Sequence, residues 1–186
     1  MNRRTEQEIT QNWKGDSVKP VVSVCCTTYN HEPYIAKAID GFLMQETNFP
    51  FEILIRDDCS TDKTAEILKQ YAGKYPQIIR PVFEKENTFS KGVKPMPQLY
   101  KIAQGKYIAI CEGDDYWTHS NKLQIQVSEM RKNKELGISF HLASKLINNN
   151  LKDPSLKESN KIYTTQEIIK GDFHLVETNT VMIKKI

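Results

Sequence analysis

A short apolar run, Tyr107–Cys111, stops without transition on Glu112, Gly113, Asp114 and Asp115. That junction limits what the chain can fold into more than any other stretch. An apolar run of this length, with Gly105 before it and Gly113 after it, predicts a buried strand. Carboxylates crowded at a strand end repel one another: at ~4 Å and an effective dielectric of ~20, each like-charged pair costs roughly 4 kcal/mol. A divalent cation held by hard oxygen ligands removes that repulsion, and the glycine lets the backbone bend closely around it. An acidic turn facing water fits the same letters. The junction alone leaves both readings open.

The rest of the chain supplies the context. Residues 1–19 are polar and read as a lead-in, with one short helix over Glu8–Trp13. Pro20 opens a domain covering 20–186, whose first strand, Val21–Thr28, is continuously apolar enough to be buried on both faces. It ends in Tyr29-Asn30-His31-Glu32-Pro33, and Ile35, Ala38, Ile39, Phe42 and Leu43 then recur at helical spacing. A second strand, Phe51–Ile55, ends in Arg56-Asp57-Asp58, after which Ser60, Thr61 and Asp62 are placed to cap a helix with Ala65, Ile67, Leu68 and Tyr71 on its inner face. Ile78–Phe83 predicts a third strand, and a short helix starting at Pro97 or Gln98 leads to the acidic junction. Leu123, Val127 and Met130 mark a further helix, and Gly137–His141 a further strand. A polar excursion over Asn148–Asn160, a short helix over Thr165–Lys170 and a strand over Thr180–Lys184 complete the expectation.

Strands alternating with helices predict an α/β fold with right-handed crossovers and a mostly parallel sheet. Ligands of such sheets bind beyond the carboxyl ends of the strands. Three strand ends therefore share one rim: Thr28-Tyr29-Asn30, Asp57-Asp58 and Glu112–Asp115. Two acidic clusters on one rim are hard to explain as ordinary surface. No GxGxxG follows the first strand and no GxxxxGK[ST] occurs anywhere, which argues against a dinucleotide or P-loop site.

Charge narrows the partners. With 26 basic and 23 acidic side chains the net charge is +3, too mild for nucleic acid, and no basic stripe with interleaved aromatics occurs. The balance suits anionic substrates or peripheral association with an anionic membrane. Cys25, Cys26, Cys59 and Cys111 show no paired metal spacing and read as reduced thiols, so the expected location is cytoplasmic, with the inner face of the membrane as a variant.

Taken in order, VVSVCCTTYNHEPYIAKAIDGFLMQ, FEILIRDDCSTDKT and GKYIAICEGDDYW followed by KLQ resemble glycosyltransferase family 2, in particular a bacterial subgroup with an EGDDYW motif. The resemblance implies the GT-A fold, a Rossmann-like three-layer α/β sandwich. It implies inverting transfer of a sugar from a nucleotide-diphospho-sugar to a saccharide or lipid-linked acceptor, in cell-surface polysaccharide or glycolipid synthesis. By it, Thr28, Tyr29 and Asn30 line the nucleoside pocket and Asp57 and Asp58 contact base and ribose. The family's DxD stands as Glu112-Gly113-Asp114, followed by Asp115, with Asp114 the principal ligand of Mg²⁺ or Mn²⁺. Two departures are visible: Glu112 replaces the leading Asp, and Asn87, Ser90, Lys91 and Gly92 replace an Asn-Gly-Gly segment.

The catalytic base of this subgroup resembles an Asp downstream of the strand that here is Thr180–Lys184. Asp172 and Glu177 both precede that strand, so the base is expected beyond Ile186 and the chain is expected to be an incomplete transferase. A non-catalytic nucleotide-sugar-binding module is the alternative. A phosphoacceptor receiver domain also has acidic strand ends, but it gives the Tyr-Asn loop no role. Elsewhere His31 is expected to hydrogen-bond locally, His119 to help cap the following helix, His141 to be structural, and Lys91 to be a solvated loop lysine. Tyr116 and Trp117 fit a sugar wall and core packing equally well.

Overall fold

The computed structural model describes residues 3–15, 19–148, 150–152, 162 and 176–185. In chain order the elements are α1 (Glu6–Thr10), β1 (Val22–Thr28), α2 (Ile35–Leu43), β2 (Phe51–Asp57), α3 (Thr64–Lys74), β3 (Ile79–Phe83), α4 (Met96–Ile102), β4 (Tyr107–Ile110), α5 (Lys122–Lys132), β5 (Ile138–Ser139), β6 (Lys145–Ile147), β7 (Asn150–Lys152) and β8 (Met182–Lys184). Six strands form one sheet in the order β3-β2-β1-β4-β8-β5. The pairs β1–β2, β2–β3 and β1–β4 are parallel, and β8 runs antiparallel to both β4 and β5. The expected α/β architecture with a mostly parallel sheet is what the chain adopts.

The period of two along each strand sorts side chains onto two faces. Val22, Val24, Cys26, Ile53, Ile55 and Ala109 pack under α2, α3 and α5, through Ile39, Phe42, Leu68, Leu123 and Val127. Cys25, Leu54, Ile108 and Ile110 face the other way, onto Leu99 and Ala103 at α4. Three layers result, and each fully buried Leu or Ile stabilises them by about 1.5–3 kcal/mol. All four cysteines are free. Burial pushes the Cys25 thiol up to about 12 and holds those of Cys26 and Cys111 well above their usual value.

Two expectations need correction. The lead-in packs onto the domain that follows it: Ile9 is buried, and the Glu6 carboxylate accepts from the Gln77 and Ile78 amides at 2.8 and 3.2 Å. Its helix starts earlier than Glu8 because Thr5 and Glu8 form a reciprocal capping box, and Trp13 lies outside it, edge-on to Phe51. A hairpin, β6–β7, turns at Asn148, whose φ is 50°, where only a polar excursion was expected. The helix expected over Thr165–Lys170 lies outside the described residues.

β8 is inserted between β4 and β5, and the turn before it is held from α5. Gln126 donates to the Thr180 carbonyl at 2.9 Å, and the Lys122 ammonium donates to Gln126 at 2.7 Å. Lys122 is buried above the Trp117 ring, and that burial lowers its pKa to about 7. No helix among the described residues is long and apolar enough to cross a membrane.

Candidate active site

The parallel register sets the site. Thr28 is paired with Asp57 across β1–β2, the Asp58 amide donates to the Thr28 carbonyl, and the Gly113 amide donates to the Thr27 carbonyl at 2.9 Å. All three strand ends singled out in the sequence therefore adjoin, with β1 in the middle.

The loop after β1 is stitched to the loop after β2. Asn30 adopts a left-handed φ of 53°, which Asn tolerates. Its side-chain oxygen accepts from the Thr61 amide at 2.8 Å, and its own amide donates to Ser60 Oγ at 2.9 Å. Asp62 accepts from the Glu32 and Thr64 amides, so it alone of the three expected caps serves α3 directly. Tyr29 is exposed beside this seam.

The β2 end is closed by hydrogen bonds. Buried Asp57 accepts from both the amide and the hydroxyl of Ser60. Buried Asp58 accepts from Arg56 Nη1 at 3.0 Å, the Thr88 hydroxyl at 2.7 Å, the Thr88 amide at 3.2 Å and the Phe89 amide at 2.9 Å. Burial alone would raise its carboxyl, but the bonds from Phe89, Thr88 and Arg56 bring it below the ordinary value. Arg56 is itself 1% exposed and also binds Glu84 and Thr88. The sequence signal for this network was an arginine inside an apolar strand, which burial forces to find partners.

The β4 end is the opposite. Glu112 is half-buried and its Oε2 has no partner, while Asp114 and Asp115 are exposed. Desolvation, then repulsion from Asp115 and Asp114, raises the Glu112 carboxyl. Desolvation also raises Asp115, helped by Asp114 and Glu177 and opposed by His31. Gly113 is required by contact: a Cβ there would lie 2.8 Å from Thr28 Oγ1, 2.9 Å from Thr28 Cβ and 2.9 Å from His31 Nδ1. Thr28 Oγ1 and His31 Nδ1 are both buried without a hydrogen-bond partner. The local bond expected at the His31 ring is thus absent at that nitrogen.

Among the remaining candidates, Trp117 belongs to the core, edge-on to Phe42 at 4.8 Å and donating to the Asn179 carbonyl. Tyr116 carries the Lys37 ammonium 3.7 Å over its ring, so that face is occupied. His119 accepts from the Asn121 amide ahead of α5. His141 is bonded to the Leu142 carbonyl. Lys91 pairs with exposed Glu86. Glu177, near enough to influence Asp115, is ion-paired with Lys145 at 2.8 Å. Asp172 lies outside the described residues.

No group of three or more His, Cys, Asp or Glu side chains able to hold a metal occurs among the described residues. That does not conflict with a divalent cation at the β4 end. Mg²⁺ is commonly held by one or two carboxylates, with substrate phosphates and water completing its shell. The exposed Asp114 and Asp115, the unpaired Glu112 oxygen and the glycine cradle fit that mode.

A mostly parallel α/β sheet with an acidic turn at its carboxyl rim puts the candidate site where such sheets bind their ligands. The chain belongs to glycosyl transferase family 2, whose family model matches residues 23–186. It is 36% identical over 168 residues to an uncharacterised protein of Mycobacterium tuberculosis, covering 88% of this chain and 47% of that one. It is 37% identical over 119 residues to the putative teichuronic acid biosynthesis glycosyltransferase TuaG of Bacillus subtilis, covering 64% of this chain and 43% of the other. Among solved structures, residues 1–349 of Staphylococcus aureus TarS superpose with a TM-score of 0.68 at 25% identity, covering 88% of this chain and 47% of that one. The same fragment with UDP-GlcNAc gives a TM-score of 0.59 at 26% identity, over 74% and 38% of the two chains. The fold is GT-A, and the chain spans about half the length of the first of these relatives.

Proposed function

We propose that this chain carries the donor-binding part of an inverting, metal-dependent glycosyltransferase. The donor is a nucleotide-diphospho-sugar and the acceptor a saccharide or lipid-linked saccharide of the cell surface. The observation that carries the reading is the acidic turn Glu112–Asp115, where Glu112 Oε2 has no partner and Asp114 and Asp115 are exposed, on the rim where Thr28 and Asp57 meet. Relatives support it: TuaG is named for teichuronic acid biosynthesis, and TarS was solved with UDP-GlcNAc.

The proposed roles are supported by exposure and bonding at each strand end. Tyr29, exposed at the end of β1, is the group available to a nucleoside; Asp57 is buried with both oxygens bonded to Ser60 and orders the loop beside it. Asp58 has both oxygens engaged, so it acts by holding the Thr88–Phe89 segment rather than by touching base or ribose. Asp114 and Asp115 hold Mg²⁺ or Mn²⁺ together with the donor diphosphate. When bound, the cation neutralises the phosphate charge and stabilises the departing nucleoside diphosphate.

Calorimetric titration of UDP and of GDP, each with Mn²⁺, tests the reading. Asp114→Asn lowers the affinity of whichever nucleotide binds at least tenfold, a loss of ~1.4 kcal/mol or more. Equal affinity in the mutant would remove Asp114 from the metal site.

A further inference from the structure

Two buried charged side chains at the end of β2 direct their hydrogen bonds at one surface loop. Arg56 donates to Asp58, to Glu84 and to the Thr88 hydroxyl. Asp58 accepts from the Thr88 hydroxyl and amide and, at 2.9 Å, from the Phe89 amide. Replacing a buried ion pair by apolar side chains is often neutral or stabilising, so what this pair gives the fold is the placement of the loop. The loop is also tied within itself. Phe89–Lys91 forms a single 3₁₀ turn, and the Thr88 carbonyl accepts from the Lys91 and Val93 amides. Gly92, at a φ of 81°, closes the turn on the Phe89 carbonyl. The Ser90 amide and hydroxyl bond to Asn87 at 2.8 and 2.9 Å.

The side chain this fixed turn displays is Phe89, 67% exposed. Among the described residues no aromatic ring or cation lies over it. Phe83, also exposed, has the Lys69 ammonium 5.4 Å from its ring centre. An aromatic whose main chain is ordered beforehand offers a large contact area at a small entropic cost on binding. Its position is on the donor rim. Asp58 holds the Phe89 amide through its carboxylate, and its own amide donates to the carbonyl of Thr28, the residue before exposed Tyr29. The sheet order β3-β2-β1-β4 puts the β2 end two strands from the acidic turn, about 10 Å at the usual strand spacing.

We propose that Phe89 is an aromatic platform of the donor site, its ring packing on the face of the nucleobase and its position set by Asp58. The inference rests on the functional reading above. With the diphosphate at the acidic turn and Tyr29 beside β1, the end of the donor that lies toward β2 is the nucleoside. Every base has a flat π-face, so such a platform contributes affinity for either a purine or a pyrimidine.

Phe89→Trp puts a fluorescent ring on the platform. UDP and GDP are titrated against it with Mn²⁺ and again with EDTA, beside the wild type to account for Trp13 and Trp117. Calorimetry, thermal melts and size-exclusion chromatography follow Phe89→Ala and Phe89→Leu. Nucleotide quenches the added emission to saturation. Phe89→Ala weakens binding of whichever nucleotide binds about tenfold, by the same factor with metal and in EDTA, and Phe89→Leu restores part of it. The variants melt with the wild type, because the ring is exposed. An added tryptophan left unquenched at saturation, or wild-type affinity in Phe89→Ala, would each overturn the proposal. So would a loss seen only with Mn²⁺, which would place the ring at the diphosphate. A change of oligomeric state with unchanged nucleotide affinity would overturn it too, making Phe89 a contact to a second copy. If the wild type binds neither UDP nor GDP, the functional reading falls and this one with it. If the wild type binds and Phe89→Ala matches it, only this one falls.

Discussion

The ends of β2 and β4 look alike in sequence, each an apolar strand running into a pair of aspartates, yet they are built in opposite ways. At β2, Asp58 takes hydrogen bonds on both oxygens and sits against an arginine that is 1% exposed. At β4, the Glu112 oxygen has no partner and Asp114 and Asp115 reach solvent. The first carboxyl lies below its ordinary value and the carboxyls of Glu112 and Asp115 lie above theirs. One acidic end is therefore consumed by the fold and the other is held open, which is how a rigid scaffold presents a ligand site on a loop.

Removing the closed end has the largest effect. Asp58→Ala leaves Arg56 buried without its main partner, and urea titration should show unfolding free energy reduced by about 3–5 kcal/mol. A loss within about 0.5 kcal/mol would mean that Glu84 alone satisfies the arginine. Gly113→Ala presses a methyl group against Thr28 and His31 and should lower stability by about 1–3 kcal/mol, with nucleotide binding weakened as the β1 and β4 ends are forced apart. A mutant that melts with the wild type would show that the acidic turn has room to move.

The smallest effect sharpens the comparison through pH. Asp58 has a depressed folded pKa, so its contribution is present above its ordinary unfolded value of 3.8 and is lost as pH falls through the folded one. Glu112 has a raised folded pKa, so its contribution is fully present below the unfolded 4.5 and is lost as pH rises through the folded one. Glu112→Gln should therefore stabilise the protein at neutral pH by on the order of 0.5 kcal/mol after solvent screening, and by nothing in acid. Without donor and metal, a mutant that is less stable at neutral pH would contradict the open-end description.

Much of this was legible in the sequence, because strand and helix periodicity is local. The four parallel strands, the helices between them and the convergence of Thr28, Asp57 and Glu112–Asp115 on one rim all follow from spacing and from the rule for parallel sheets. What was not legible depends on distant partners. Asp58 reads like a ligand-binding aspartate until Thr88 and Phe89, thirty residues on, are seen bonded to it. Glu6 reads as a solvated lead-in residue until it meets the amides of Gln77 and Ile78. His31 reads as an ordinary loop histidine because nothing nearby in the chain announces Gly113. The antiparallel placement of β8 could not be read from its apolar residues, which suit either direction.

That placement carries a consequence for how the molecule is made. β8 pairs with both β4 and β5, and β5 has no other strand partner among the described residues, so this side of the sheet cannot be completed until the more than forty residues that follow β5 have been synthesised. Until Met182–Lys184 arrives, the outer edges of both β4 and β5 are bare main chain, and the Ala109–Met182 and Ser139–Met182 pairings do not exist. An unpaired edge beside a finished core is an invitation to other nascent chains. The Lys122–Gln126 clamp on Thr180 then acts as the latch that seats the late strand, making closure of the sheet a late, long-range event in the birth of this protein.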